Sequence, residues 1–294
     1  MTRRPPLTAF FIRPRHLLKA RQYTFVLKDK TLVMGVVNLT PDSFSHDGCL
    51  AKNNNPAANV RFAKHMIAHG ADILDLGAES SRPGAVAISV SQELERLMPT
   101  LKRLVKEVNV PISVDTYKPP VAQAALEAGA SIVNNIRGTQ VDRALLEVVR
   151  DYGAAIVLMH MRGDPLTMQS QASYKNVVKE VMGELKSSIE KYLEMGIKKN
   201  RIIIDPGIGF AKTTGHNLEI LRNLARLHHL GCPLLIGPSR KSFIGHILHK
   251  EPDDRLMGTA ATVSLGIAQG VHMVRVHDVE AIKDVVRVCD AIMN

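Results

Sequence analysis

From residue 32 onward, one pattern recurs eight times in the chain: a short apolar run, a polar loop and a longer helical stretch. The apolar runs show no polar–apolar alternation, which is typical of strands buried on both faces of a parallel sheet. The predicted strands are residues 32–38, 71–77, 111–115, 131–136, 154–160, 201–206, 233–237 and 271–277. Eight strand–helix units in 294 residues match the size of a (β/α)8 barrel, or TIM barrel, and predict that fold. An open doubly wound sheet is the alternative, but no Gly-rich dinucleotide motif follows the first strand.

The segments between the strands have apolar residues at helical spacing. In the segment 89–108 these residues are Leu94, Leu97, Leu101 and Leu104, which share one face of a helix. Further helices are predicted over residues 121–127, 144–149, 177–194, 218–227 and 279–292. These helices would cover the outside of the barrel.

Positive charge is concentrated near the N-terminus. Of the formal net charge of +10, the first thirty residues contribute +7 and the rest of the chain +3. We predict a basic N-terminal tail over residues 1–22 and a barrel over residues 23–294. The tail is expected to be solvated or docked on the barrel surface, with a targeting presequence and an anion contact as the open alternatives.

Composition argues against several classes of protein. Only 4 % of the residues are aromatic and Trp is absent, so no nucleic-acid partner is expected. The longest apolar runs, such as residues 154–159, are far shorter than the ~20 residues that span a bilayer, so no membrane partner is expected. Cys49, Cys232 and Cys289 have neither zinc-site spacing nor a disulfide framework, which predicts reduced thiols in the cytoplasm.

Polar residues follow nearly every predicted strand at its C-terminal end. Active sites of (β/α)8 barrels lie at these ends. The residues are Asn38, the loop 79–82, Asp115, Asn134, His160, Asp205, the segment 239–241, Arg275 and His277. Each one alone could be a helix cap or a buried residue with a partner, but together they predict a ligand site.

Acidic and amide groups predict one part of this site. Asp115, Asn134 and Asp205 would converge in a largely apolar barrel, where two carboxylates and an amide suit a heterocycle rich in N–H donors. Because a buried carboxylate without a partner is costly, we expect it to face a ligand or a lysine. Asn38 offers an oxygen ligand for a hard cation such as Mg²⁺.

Basic and hydroxyl groups predict an anion site beside it. Arg275 and His277 are two residues apart on the last strand, so both face the barrel mouth, as suits a phosphate or diphosphate. Further donors are Lys241 and Ser242 at a predicted helix start, and Ser81 and Arg82 in the second loop.

Six motifs taken together resemble the dihydropteroate synthase family. They are "MGVVNLTPDSFS", "AESSRPGA", "VDTYKP", "DPGIGF", "GPSRKSFIG" and "RVHD", in the order and spacing of that family, and the resemblance covers residues 23–294. It implies a (β/α)8 barrel that joins 6-hydroxymethyl-7,8-dihydropterin diphosphate to p-aminobenzoate and releases diphosphate. It also implies Mg²⁺ as cofactor, a homodimer and a sulfonamide target.

The resemblance also implies a role for each matching residue. The pterin pocket corresponds to Asp115, Asn134, Asp205 and Lys241, with Met159 and Phe210 as walls, and the magnesium-linked residue to Asn38. The diphosphate contacts correspond to Ser81, Arg275 and His277, and the p-aminobenzoate site to Ser81, Arg82, Pro83 and Ser242. Lys241, Arg275 and His277 are the expected catalytic residues. The family route loses diphosphate first and needs no strong general base.

The chain departs from the family pattern at three places. In the first loop His46 is an extra residue and Cys49 stands where Gly is usual. The second loop reads Ala-Glu-Ser-Ser instead of Gly-Glu-Ser-Thr, which keeps the hydroxyl of Ser81. On the fourth strand Asn135 replaces a common Asp. The pterin and diphosphate residues are all retained.

Two other functions fit parts of the pattern. A methyltetrahydrofolate methyltransferase-like barrel would keep the pterin pocket, but it has no use for Arg275 and His277 as a diphosphate site. A paralogue that binds pterin without catalysis is the second alternative, since the first loop is altered.

Overall fold

The structure is a computed structural model, and it describes residues 11–40 and 55–294. The expectations for His46 and Cys49, and for residues 1–10 of the predicted tail, lie outside these ranges. The strands within them are β1 (His16–Ala20), β2 (Tyr23–Leu27), β3 (Leu32–Asn38), β4 (Ile73–Gly77), β5 (Ile112–Asp115), β6 (Ile132–Asn135), β7 (Ala155–Met159), β8 (Ile202–Asp205), β9 (Leu235–Ile236) and β10 (Met273–Val276).

Eight of these strands form one parallel sheet, in the order β8-β7-β6-β5-β4-β3-β10-β9. A parallel bridge between Ile204 and Leu234 joins β8 to β9 and closes the sheet into a barrel. All eight predicted strands are present. β3 keeps the predicted bounds, and the other seven are shorter by one or two residues at one or both ends, where the apolar run lies outside the hydrogen-bonded ladder. The (β/α)8 barrel is therefore confirmed.

The helices of the described residues lie between the barrel strands. They are α1 (Pro56–Ala68), α2 (Val90–Glu107), α3 (Pro119–Ala128), α4 (Arg143–Asp151), α5 (Val177–Glu194), α6 (Thr214–Arg222), α7 (Ser242–Leu248), α8 (Leu256–Ala268) and α9 (Val279–Met293). In α2, Leu97, Leu101 and Leu104 are buried on one face, as predicted, and Ser89 caps the helix with Gln92. The predicted helix 218–227 is divided, since α6 ends at Arg222 and a 3₁₀ turn follows at Leu224–Leu230.

Residues 16–27, part of which were predicted to belong to the tail, form a hairpin. Strands β1 and β2 pair antiparallel, and Leu18, Ala20 and Leu27 are buried against the apolar interior of the barrel. This corrects the boundary predicted between residues 22 and 23, which falls inside the hairpin. Residues 16–22 belong to the folded unit because alternate residues of β1 are apolar and close the N-terminal end of the barrel.

Several basic residues of the predicted tail are held by the barrel. Arg13 lies 3.1 Å from Asp290 in a largely buried ion pair. Arg21 donates to the carbonyl oxygens of Leu126 and Ala130 at 2.6 and 2.8 Å. Residues 11–22 are therefore docked on the barrel, which was one of the two expectations for the tail.

The barrel interior changes from apolar to polar along the strands. At the N-terminal end it is filled by a cluster that includes Met34, Ile73, Ile132, Ile203 and Met273. Side chains two residues further along a strand point to the same side, toward the C-terminal mouth. Polar groups at those positions meet above an apolar floor. No helix within residues 11–40 and 55–294 is long and apolar enough to cross a membrane.

Candidate active site

The period of two along each strand explains which side chains meet at the barrel mouth. Ile73 is followed by Asp75 on β4, Ile132 by Asn134 on β6, Ile203 by Asp205 on β8 and Met273 by Arg275 on β10. The first residue of each pair lies in the apolar floor, so the second lies one layer above it. One polar layer is thus built from strands that are distant in sequence.

Arg275 is the centre of this layer. Its Nε donates to Asp75 Oδ2 at 2.6 Å and its Nη2 donates to Asp115 Oδ2 at 3.0 Å. Asn134 Nδ2 donates to the same oxygen of Asp75 at 3.1 Å. The structure therefore brings Asp115, Asn134 and Arg275 together, as predicted from their strand ends.

Asp75 was not identified from the sequence, although it is the most buried carboxylate of the site. Its side chain is fully buried, and its Oδ1 has no hydrogen-bond partner among the described residues. The available signal was a single acidic residue in the apolar strand β4, on the same face as Ile73. Only a cation makes such a position tolerable, because an isolated buried carboxylate is strongly disfavoured.

Two carboxyl groups of the site have raised pKa values. Burial raises the pKa of Asp115 to about 7, against the opposing charge of Arg275. Burial also raises the pKa of Asp205 to about 6, although Gly207 N donates to its Oδ1 at 2.7 Å and Lys241 stands nearby. Both groups would be ionised more fully by a ligand that brings N–H donors or positive charge.

Lys241 and Phe210 form one side of the pocket. The Lys241 ammonium nitrogen lies 3.9 Å from the centre of the Phe210 ring, a cation–π contact. Burial, together with the charge of Arg275, lowers the pKa of Lys241 to about 8. A Cβ at Gly209 would lie 2.9 Å from Lys241 Cδ, and Gly209 has φ +85°, so glycine is required there. Met159 and Phe210 belong to the same small buried cluster.

His277 is among the basic residues expected at the barrel mouth, and its surroundings set its protonation state. Burial and the neighbouring charge of Arg275 lower the pKa of His277 to about 3, so its ring is neutral at pH 7. Its Nδ1 lies 2.9 Å from Ser239 Oγ, which also accepts from His277 N at 3.2 Å. In this state His277 can donate or accept a hydrogen bond but adds no charge.

The second loop holds the residues expected to bind p-aminobenzoate. Arg82 and Pro83 are exposed and Ser81 is half-buried, and the charge of Arg82 helps to lower the pKa of His277. Gly84 N donates to Pro165 O at 2.9 Å, which links this loop to the loop after β7. Ser242 is exposed in the first turn of α7, a helix of seven residues, and Lys241 is the N-cap of that helix.

Glu79 has a structural partner below this loop. Lys118 Nζ lies 2.8 Å from Glu79 Oε2 and 2.7 Å from Glu93 Oε2, and all three side chains are largely buried. Glu79 therefore anchors the loop to α2 and α3 and leaves Ser81 and Arg82 to face the mouth.

Asn38 ends β3 at the rim of the site. A Cβ at Gly77 would lie 3.9 Å from both Asn38 Oδ1 and Asp115 Oδ2, so these oxygens approach Gly77 from two sides. Within the described part of the chain, no cluster of three His, Cys, Asp or Glu residues could hold a metal. A single amide oxygen suits Mg²⁺ that takes its other ligands from phosphate and water.

Asn135, which replaces a common family Asp, lies outside this group. Its Oδ1 accepts from Arg137 N at 2.9 Å and its Nδ2 faces Tyr192 Oη at 3.5 Å. It points to the helix side of β6, because it neighbours the inward-facing Asn134 in sequence.

Known proteins share both the sequence and the fold. The family model described as "Pterin binding enzyme" matches residues 34–277. Dihydropteroate synthase of Synechocystis sp. is 45 % identical over 276 residues, which are 94 % of each chain. A solved dihydropteroate synthase of Yersinia pestis, in complex with a sulfonamide drug, is 38 % identical, with a TM-score of 0.88 over 94 % of this chain and 98 % of its own. That of Xanthomonas albilineans, with 4-aminobenzoic acid, is 40 % identical, with a TM-score of 0.86 over 95 % and 98 %. The chain therefore belongs to the dihydropteroate synthase family of pterin-binding enzymes.

Proposed function

We propose that the polar layer around Arg275 is where this transferase joins 6-hydroxymethyl-7,8-dihydropterin diphosphate to p-aminobenzoate. The observation that carries the proposal is that acidic, amide and basic groups from different strands meet in this one layer. Carboxyl and amide groups from β5, β6 and β8 lie beside the basic groups of β10 and of the loop before α7. This arrangement suits one small molecule with a nitrogen-rich ring at one end and a diphosphate at the other.

The carboxyl side would bind the pterin ring. The 2-amino-4-oxo edge presents parallel N–H donors, and Asp205 is a buried acceptor at the floor of the pocket. Such a ligand lowers the pKa of Asp205 from about 6, which means that binding favours the ionised carboxylate. Asp115 and Asn134 would contact the ring from the neighbouring strands, and Met159, Phe210 and Lys241 would enclose it.

The basic side would bind the diphosphate. Arg275 keeps part of its guanidinium toward the mouth, since the hydrogen bonds it makes within the described residues use only Nε and Nη2. His277 and Ser81 would donate hydrogen bonds to phosphate oxygens. Mg²⁺, held by the amide oxygen of Asn38 and by those phosphates, would neutralise further negative charge on the leaving group.

The reaction then depends on charge stabilisation. The C–O bond between the pterin methylene and the diphosphate breaks, and its electron pair leaves with the diphosphate, which Arg275 and His277 stabilise. The positive charge left on the methylene is shared with the pterin ring. The nitrogen lone pair of p-aminobenzoate forms the new C–N bond, and the amine loses one proton to solvent. Neither step requires a strong general base among the chain's residues.

The second loop would orient the amine. Arg82 can pair with the carboxylate of p-aminobenzoate, with Ser81, Pro83 and Ser242 around the ring. The Xanthomonas relative was solved with 4-aminobenzoic acid and the Yersinia relative with a sulfonamide drug. We propose that both kinds of molecule bind this chain at the same place, and that the enzyme is cytoplasmic.

Release of diphosphate tests the reaction directly. With Mg²⁺, the purified chain is expected to release diphosphate from the pterin ester only when p-aminobenzoate is present. A coupled pyrophosphatase assay with and without the amine measures this. Pterin binding without amine-dependent release would instead indicate the non-catalytic paralogue. The methyltransferase alternative is disfavoured because Arg275 and His277 face the mouth.

We also propose that the chain forms a homodimer through adjoining helices. Large apolar side chains are exposed on α7, α8 and α9: Ile247, Leu248, Met257, Leu265, Val288 and Ile292. Because α8 packs against both α7 and α9, a two-fold dimer through these helices would cover such side chains on both copies.

A charge in this surface is expected to separate the dimer. Leu265 is 67 % exposed on α8, so Leu265→Glu should give a monomer with an unchanged fold. Val26→Glu is the matched control, since Val26 is 58 % exposed but lies on the N-terminal hairpin. Sedimentation velocity of both variants measures the outcome. A dimeric Leu265→Glu, or a monomeric Val26→Glu, would contradict this interface.

A further inference from the structure

The loop after β8 carries Phe210, one wall of the proposed pterin pocket, along an unusual path. It runs from Asp205 through Phe210 to Lys212, with φ +70° at Gly207, +85° at Gly209 and +49° at Ala211. A Cβ at Gly207 would lie 1.9 Å from His160 O, so the loop crosses directly over the end of β7. A positive φ at the non-glycine residue Ala211 is strained, so surrounding contacts must hold the loop.

Lys212 makes those contacts from beneath the pocket. Its side chain is only 3 % exposed, and Nζ lies 2.9 Å from Phe210 O, 3.0 Å from His160 Nδ1 and 3.5 Å from His160 O. An ammonium group has three N–H donors and no acceptor, so these three acceptors match it. A neutral amine would leave one of them without a donor. Burial lowers the pKa of Lys212 to about 7, so holding the charge there is unfavourable in itself.

The partner of Lys212 is fixed in turn. His160 is fully buried, and its Nε2 lies 3.1 Å from Glu184 Oε2 on α5. When Lys212 is charged, Nδ1 accepts one of its N–H donors, so the ring proton then belongs on Nε2, where it is donated to Glu184. Arg162 Nε donates to the other oxygen of Glu184 at 3.1 Å.

The network returns to the same loop. Arg162 lies 4.1 Å above the ring centre of Tyr174, and the Tyr174 hydroxyl donates to Ala211 O at 3.0 Å. Lys212 and Tyr174 thus hold the adjacent carbonyl groups of Phe210 and Ala211. Glu184 links the two residues, because it contacts His160 beside Lys212 and Arg162 above Tyr174. Phe210 itself lies under the ammonium of Lys241.

We propose that Lys212 is a positioning residue, which acts through Phe210 and the adjoining Asp205 to set the affinity for the pterin ring. This rests on the pterin pocket proposed above, and Lys212 itself touches no substrate in this scheme. Lys212 and His160 are the buried members of this network, and we infer that their hydrogen bonds fix the conformation of the loop more than they add net stability. Loss of the ammonium is therefore expected to misplace Phe210 and weaken ring binding, while the diphosphate and amine contacts stay intact.

Lys212→Met tests this, since it keeps an unbranched side chain of similar length and removes the three N–H donors of the ammonium group. We expect the dissociation constant of free 6-hydroxymethylpterin, followed by its fluorescence, to rise about 10- to 100-fold, as a misplacement near 1 Å would cause. KM for the pterin ester should rise in parallel, with kcat and KM for p-aminobenzoate changed less than about threefold. Lys186→Met is the control, because Lys186 is 71 % exposed on α5.

The comparison separates positioning from general stability. If Lys212 had only a structural role, the variant would lower kcat in proportion to the fraction of folded protein. The dissociation constant of the free pterin and KM for the pterin ester would then stay unchanged, and this result would overturn the proposal. Where Lys212→Met does not fold, Tyr174→Phe removes only the hydroxyl that donates to Ala211 O. This variant should raise the dissociation constant of the free pterin severalfold. An unchanged dissociation constant would also overturn the proposal. Asp205→Asn belongs in the same series: if it leaves pterin binding intact, the pocket itself is wrongly assigned.

Discussion

Arg275→Ala is expected to abolish most of the activity and to destabilise the fold at the same time. The guanidinium is the proposed contact to the leaving diphosphate, and loss of one such group lowers kcat/KM by about 1,000-fold. It is also the ion-pair partner of Asp75, which is fully buried. Removing one member of a buried pair costs about 3–5 kcal/mol of unfolding free energy, because a charge is left without compensation.

A second substitution separates the two effects. In Arg275→Ala/Asp75→Asn the buried charge at position 75 is gone, and the amide oxygen there can still accept from Asn134, which donates to Asp75 at 3.1 Å in the wild type. Asp115 also loses its cation, but it can take up a proton because burial already raises its pKa to about 7. We expect this double variant to recover most of the lost stability and none of the activity. Urea unfolding and diphosphate release measure the two quantities.

A comparison of ligands with and without the diphosphate shows which part of the substrate Arg275 contacts. Arg275→Ala should weaken binding of the pterin diphosphate ester far more than binding of the free pterin. Arg143→Ala is the control, because the Arg143 side chain is 81 % exposed and pairs with Glu147 on the surface. Equal losses for the ester and the free pterin would show that Arg275 does not bind the diphosphate. Recovery of activity in the double variant would contradict its catalytic role.

Much of this centre could be predicted from the sequence because it follows from one rule. A parallel barrel alternates inward and outward residues, so polar residues at the C-terminal ends of eight apolar runs must converge. Asn134, Asp205 and Arg275 were found in this way. Asp75 was missed because it lies in the middle of β4 and not at its end. The rule used here searches only the ends of the apolar runs, so it passes over a single carboxylate inside one.

Features that depend on packing were harder to predict. The hairpin of β1 and β2 has no Asn-Gly or Asp-Gly turn; Arg21 takes φ +53° at its turn instead. The neutral state of His277 also escaped prediction, because only three-dimensional burial shows that its charge is suppressed. The support of Phe210 by Lys212 was also missed. The two residues are only two positions apart in the chain, but their network depends on His160, just after β7, and on Glu184 of α5.

Lys241→Met is expected to inactivate the enzyme and to stabilise it at pH 7. The lysine is buried enough that its pKa falls from an ordinary value near 10.5 to about 8, so the charged form is disfavoured by folding. One pKa unit corresponds to about 1.4 kcal/mol, and part of the gain is offset because Asp115 and Asp205 lose a cation. We therefore expect a net increase of about 1–2 kcal/mol in unfolding free energy, aided by the contact of a thioether with the Phe210 ring.

The pH dependence of that gain follows from its cause. Below pH 8 Lys241 is charged in both states, and its burial destabilises the folded protein by the full amount. This destabilisation decreases as the pH rises toward 10.5, the pKa of the lysine in the unfolded chain. The difference in unfolding free energy between variant and wild type should thus be largest at pH 7 and shrink in alkaline solution. Lys102→Met, at an exposed position on α2, is the control and should show no such trend. A less stable Lys241→Met at pH 7 would mean that the ammonium stabilises the fold, whereas a more stable but inactive variant shows a charge retained for binding the pterin at the expense of stability.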